Sequence, residues 1–226
     1  MVVTKKEVIA KTPSGNLKNL PEGVLLCFDE TKEGFLYQNL LRESSFYQSL
    51  HQLDAELALE VQKEGCECGG VLHRALYPRR PRGARASTMR DYQWRWSFCC
   101  SEEGCRRRRT PPSVLFLGRK VYFAAVVVLV SVLRQGATPM KISKLEEVVG
   151  VSAQTINRWR RWWLETIARS RFWASARGHF RTPVDEKSLP LALLEAFEGE
   201  GEGEQEALVR LLCFLRPLTL STARDY

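Results

Sequence analysis

Apolar positions along the chain change their period twice. Residues 1–33 mix Gly, Pro, Asn and Lys without a repeat, which predicts loops. Phe46, Leu50, Leu53, Leu57 and Val61 then recur at spacings of three and four, the stripe of one helix face. Ser44 or Ser45 is placed to cap that helix, and Gly65 to end it. Residues 71–77 and 92–99 read as short strands, separated at 78–90 by a loop rich in Arg, Pro and Gly. From residue 119 onward the period is helical again. Helices are expected at 120–134, 142–149, 153–170, 188–197 and 205–215, with an acidic Gly-spaced loop at 198–205. The run 121–133 is strongly apolar over 13 residues. A bilayer span takes about 20, so this run predicts a buried helix.

Charge divides the chain in the same places. Residues 1–64 carry net −3, 65–112 net +7, 113–182 net +9 and 183–226 net −5, within a total of +8. A basic centre between acidic ends suggests a polyanionic partner. Met1 to Ala10 lacks the apolar core of a signal peptide. With no membrane span either, the expected compartment is the cytoplasm, where thiols stay reduced and clustered cysteines point to metal.

Five of the seven cysteines fall within residues 66–112, as Cys66-Glu-Cys68-Gly-Gly and, some thirty residues on, Cys99-Cys100-Ser-Glu-Glu-Gly-Cys105. Two close pairs flanking a strand pair are the layout of a zinc ribbon, in which each turn supplies two thiolates to a tetrahedral ion. The expected ligands are Cys66, Cys68, Cys100 and Cys105. Either Cys99 or Cys100 can join Cys105. Cys100 gives the tighter loop and leaves Cys99 facing the other side of its strand. His73 is a fallback ligand, and Cys27 and Cys213 stand alone as inert thiols. A bound ion would also explain how so Arg- and Pro-rich a segment folds around little apolar core.

A second constellation lies at 142–167. Leu145 and Val149 mark a short helix, Gly150 permits a turn, Val151 plugs the corner and Ser152 caps the next helix. Ile156, Trp159, Trp163 and Ile167 form that helix's inner face. Ala153, Gln154, Asn157, Arg158 and Arg161 face outward, and Gln, Asn and Arg pair with adenine and guanine edges in the major groove. Ser152, Thr155 and Arg160 complete the expected interface, with Arg160 and Arg161 near phosphates. Glu146 occupies a place where a small residue normally lets two such helices pack, so it must lean outward or the crossing must widen. Arg106, Arg107, Arg108 and Arg109 follow the last cysteine, and Arg79, Arg80, Arg82 and Arg85 lie in the ribbon loop. Such clusters neutralise phosphates without reading sequence. Trp94 and Trp96 alternate on one strand face, as ribbon core, a docking surface or a platform for bases.

Cys66-Glu-Cys68-Gly-Gly, Cys100…Cys105 with the arginines behind it, and Gly150-Val-Ser…Ile156…Trp159 together resemble the zinc-ribbon and helix-turn-helix DNA-binding proteins associated with bacterial insertion-sequence transposases. The resemblance covers about residues 66–163. It implies recognition of double-stranded DNA at element ends or a promoter, as an accessory to a separate transposase or recombinase, or as a regulator. The expected fold is mainly α with a small β zinc ribbon. Its parts are an N-terminal helix region (1–64), the ribbon (65–118), a helix-turn-helix domain (119–182) and C-terminal helices (183–226) that can serve a homodimer. No catalytic residues are expected. His51, His73 and His179 are far apart, and only seven acidic residues lie in 65–182, too few for a metal-holding carboxylate triad. The competing reading is a zinc-ribbon module that contacts protein or RNA, with the helices as scaffold.

Overall fold

The structure is a computed structural model. It describes residues 40–84, 86–117, 122–133, 149–198 and 203–219. These residues are mainly helical with a small antiparallel sheet.

Helix α1, Ser44–Glu64, forms where the apolar stripe predicted one. It buries Phe46, Tyr47, Leu50, Ala58 and Val61, while Leu53 and Leu57 are half-buried. Neither serine caps it. Glu43 holds the N-cap without a side-chain bond, and Ser44 and Ser45 lie inside the first turn. Gly65 ends the helix at φ 73°, its amide donating to the Gln62 carbonyl. That left-handed conformation favours glycine.

Beyond it the chain forms strands β1 (Leu72–Arg74), β2 (Tyr77–Pro78), β3 (Trp94–Arg95), β4 (Phe98–Cys100) and β5 (Arg108–Arg109). Leu72 pairs with Cys100, Arg74 with Phe98, Tyr77 with Arg95 and Pro78 with Trp94. The register is constant throughout, and the Ala75 amide donates to the Ser97 carbonyl between the two ladders. The four strands are therefore one long hairpin, 72–78 against 94–100, within two residues of the expected strands. Its connection is not all loop, because a short helix α2, Ala86–Asp91, is folded into it. Strand β5 adds to β4, so part of the arginine run is strand.

Helix α3, Ala124–Leu133, comes from the apolar run and is buried over its first eight residues. No helix among the described residues is long and apolar enough to cross a membrane. Helix α4, Ala153–Arg161, packs on α3 and continues as a π-helical turn, Trp162–Ile167. The expected single helix to residue 170 stops here. Ser170 accepts the Trp173 amide and caps helix α5, Arg171–Ala176, a break the apolar period did not reveal. Helices α6 (Leu191–Phe197) and α7 (Glu204–Leu215) close the fold against each other.

One apolar cluster runs from Leu40 and α1 through Val114 to Phe116, α3, α4 and on to Leu218. A second, smaller one holds Ala58, Val61, Cys66, Leu72, Phe98 and Cys100. A buried polar junction ties the hairpin to the larger core. Asp54 of α1 accepts the Ser113 hydroxyl at 2.5 Å and the Val114 amide at 2.7 Å. Arg95 of β3 lies 3.6 Å from Asp54 and donates to the Pro111 carbonyl at 2.7 Å.

Candidate metal centre and basic surfaces

Two turns at one end of the hairpin converge. In the first, the Cys66 amide donates to the Gly70 carbonyl and the Gly69 amide to the Cys66 carbonyl. That turn curls Cys66 and Cys68 to the same side, so the one-residue spacing does not separate them as a strand would. In the second, the Cys105 and Arg106 amides donate to the Glu102 carbonyl, and the Cys100 amide to the Arg107 carbonyl. Arg106 takes φ 43° to close it.

The sulfurs of Cys66, Cys68, Cys100 and Cys105 all lie within 4.8 Å of one another. Cys66 and Cys105 are 3.7 Å apart, Cys68 and Cys100 3.4 Å. Metal–sulfur bonds of about 2.3 Å in a tetrahedron require sulfurs about 3.8 Å apart, so the four thiols fit a single ion. Gly70 makes room for them. A Cβ there would stand 2.6 Å from the Cys100 sulfur and 2.7 Å from Glu102 Cγ, closer than either neighbour allows. Cys99 is outside the cluster, its thiol 3.6 Å from the Arg106 carbonyl oxygen. His73 is opposite Cys99 in the ladder and belongs to no metal-holding group among the described residues.

The thiols differ in how readily they ionise. The Cys68 backbone amide draws the Cys66 thiol down to about 7, while burial pushes the Cys100 thiol up to about 12. Packing the thiols together suits a thiolate at Cys66 and resists one at Cys100. A cation at the centre removes that resistance, because metal coordination deprotonates thiols outright.

The arginines after Cys105 fold back on the ribbon. Arg107 pairs with Glu67, inside the first turn. Arg109 donates to Glu64 at 2.9 Å and to the Gly65 carbonyl at 2.7 Å, clamping the end of α1. Arg106 is 3.8 Å from Glu103. Arg108 is exposed and makes no ion pair among the described residues.

Helix α4 is different. Ile156, Trp159 and Trp163 are buried on one side, and the Trp159 ring meets Tyr122 edge-on at 5.1 Å. Gln154, Asn157, Arg158, Arg160 and Arg161 are exposed, and none of the three arginines makes an ion pair among the described residues. Gly150 takes φ 61°, and Val149 and Val151 are buried on either side, as the turn requires. The preceding helix expected at 142–149, with Leu145 and Glu146, lies outside the described residues except for Val149.

Two details of the expected interface change. Thr155 is turned inward and buried, one turn before Trp159 on the packed side. Ser152 occupies the N-cap, but its hydroxyl is 3.2 Å from the Thr155 hydroxyl and caps no amide. Arg85 lies outside the described residues, while Arg80 and Arg82 are exposed and Arg79 is half-buried. Residue periodicity did not reveal the Asp54–Arg95 junction. Its one signal was an aspartate among the apolar positions of α1.

No family model, curated protein or solved structure matches the chain.

Proposed function

We propose that this protein binds duplex DNA, with a zinc ion holding the ribbon and α4 presented to the major groove. One observation carries the reading. Gln154, Asn157, Arg158 and Arg161 form an exposed row on a helix whose other side is locked into the core, and its arginines have no internal acidic partner among the described residues. These side chains have the donors and acceptors that distinguish bases. A rigid helix holds them in register, which saves ordering entropy on binding.

The donor chemistry supports zinc without excluding iron. Four soft thiolates in a tetrahedron select zinc or iron, and a closed site with no open position is a structural one. The biological setting rests on resemblance alone. An accessory or regulatory factor of transposition, working beside a separate transposase or recombinase, is the setting that fits it.

The test begins with selection of a site from a random duplex library, followed by titration of that site and of unrelated DNA. Arg158→Ala should cost roughly 1–3 kcal/mol on the selected site and much less on unrelated DNA. Equal losses on both would remove α4 as the reader. Failure to enrich any duplex would remove the DNA reading itself and leave the ribbon as a module for protein or RNA.

A further inference from the structure

The ribbon hairpin has a second end, away from the cysteines, which the function above does not use. Side chains of paired residues share a face, and alternate pairs share the same one. Leu72, Cys100 and Phe98 lie on one face and are buried around the thiol cluster. Continuing along that face in the same register brings Leu76 and Trp96, then Pro78 and Trp94. Here the burial ends. Trp94 is 52% exposed and Leu76 39%, and Trp96 is half-buried under the Arg74 guanidinium, 4.8 Å above its ring. An exposed tryptophan beside exposed leucine and proline is a costly surface to leave in water.

The charge around this surface indicates what covers it. Between Val71 and Phe98 there are seven arginines and one acidic residue, Asp91. Arg95 is taken by Asp54. Arg80, Arg82 and Arg90 are exposed and make no ion pair among the described residues. Tyr77 and Arg79 alternate with this face and belong to the other side of the hairpin, where the Arg79 guanidinium lies over the Tyr77 ring at 5.0 Å. Aromatic faces among arginines suit a ligand that is both anionic and flat, and a nucleic acid strand is such a ligand.

We propose that the distal hairpin face binds unpaired nucleotides, with a base stacked on Trp94 and phosphates held by the neighbouring arginines. This rests on the nucleic-acid reading above and adds to it. A base stacked within a duplex presents mainly its edges to a protein, so a tryptophan plane finds an open base face most readily on an unpaired nucleotide. The protein then has two modes of contact, base edges at α4 and base faces at the ribbon tip.

The experiment uses the full chain with zinc, a fluorescein-labelled oligothymidylate of about 15 nucleotides, and the selected site as a blunt duplex. Trp94→Ala should weaken oligothymidylate binding roughly five- to a hundredfold, and Trp94→Phe should retain most of it. Both variants should bind the blunt duplex as the parent does and keep their zinc, which shows that the ribbon is intact. The proposal is overturned if Trp94→Ala binds oligothymidylate like the parent, in which case the face is a protein contact. It is also overturned if the parent binds duplex but no single strand, and the DNA reading then survives alone. A parent that binds neither nucleic acid would overturn both.

Discussion

The basic centre of this chain contains two arginine clusters that look alike in sequence and differ in the fold. Arg106, Arg107 and Arg109 reach acidic partners on the turns and the helix they brace. Arg158, Arg160 and Arg161 have none among the described residues and stand on a helix anchored by Trp159 and Trp163. A guanidinium already bonded to a carboxylate must give up that bond, or share it, before it neutralises a phosphate. A free one needs only to lose water. Net charge therefore overstates how many of the ribbon's arginines are open to an anionic partner. The ribbon run is largely a set of braces, and the α4 row is the available surface.

Disrupting the proposed metal site should separate the two regions most. Cys100 is a buried member of the cluster, on a strand paired on both sides. Cys100→Ser should abolish metal binding and unfold the ribbon turns, because the small core around Cys66, Leu72 and Phe98 cannot replace the ion. Helices α3 and α4 belong to the other core and should persist. Hydrogen exchange read segment by segment checks this. Protection should vanish in the strands and stay in α3 and α4. Loss in both would mean that the ion supports the whole fold, and the two clusters would then share one fate.

The junction between the regions comes next. Asp54 is buried with Arg95, and removing one partner of such a pair strands the other's charge. Burial already holds the Asp54 carboxyl above its usual range, and Arg95, the Ser113 hydroxyl and two amides pull it back. Asp54→Ala should cost about 3–5 kcal/mol in denaturant unfolding. Adding Arg95→Met should recover part of it, since the stranded cation is gone. No recovery would assign the loss to Ser113 and the amides instead.

How far the sequence foretold this arrangement depended on the reach of each signal. The hairpin, the buried α3, α6 and α7 could be read because alternation and helical period are local. The four metal-ligand candidates could be read because turns bring neighbours together, and Cys99 drops out by the strand alternation that set it apart from Cys100. The ion pairs of the arginine run could not be read. Arg109 meets Glu64 across 45 residues, and no period along the chain encodes such a meeting. The same holds for Asp54 with Ser113, 59 residues away. Thr155 was misplaced for a smaller reason. Its position borders both faces of α4, and packing against the core decided between them.

The smallest expected effect distinguishes net charge from internal pairing. Arg107 and Arg108 are neighbours, both exposed and equal in charge, but Arg107 is paired with Glu67 and Arg108 is not. If clusters act through net charge alone, Arg107→Gln and Arg108→Gln should flatten the salt dependence of duplex binding equally, by roughly one unit of slope for each phosphate no longer neutralised. If internal pairing withholds an arginine, Arg108→Gln should produce that change and Arg107→Gln much less. Glu67→Gln should then release Arg107 and steepen the slope. None of these variants should change discrimination between the selected site and unrelated DNA, since a phosphate contact carries no sequence. Exposed pairs contribute little to stability, so the melting midpoint should barely move, and binding can be read without correcting for folding. Equal slopes for Arg107→Gln and Arg108→Gln would show that phosphates outcompete Glu67, and the ribbon would return as a full partner of α4 in holding DNA.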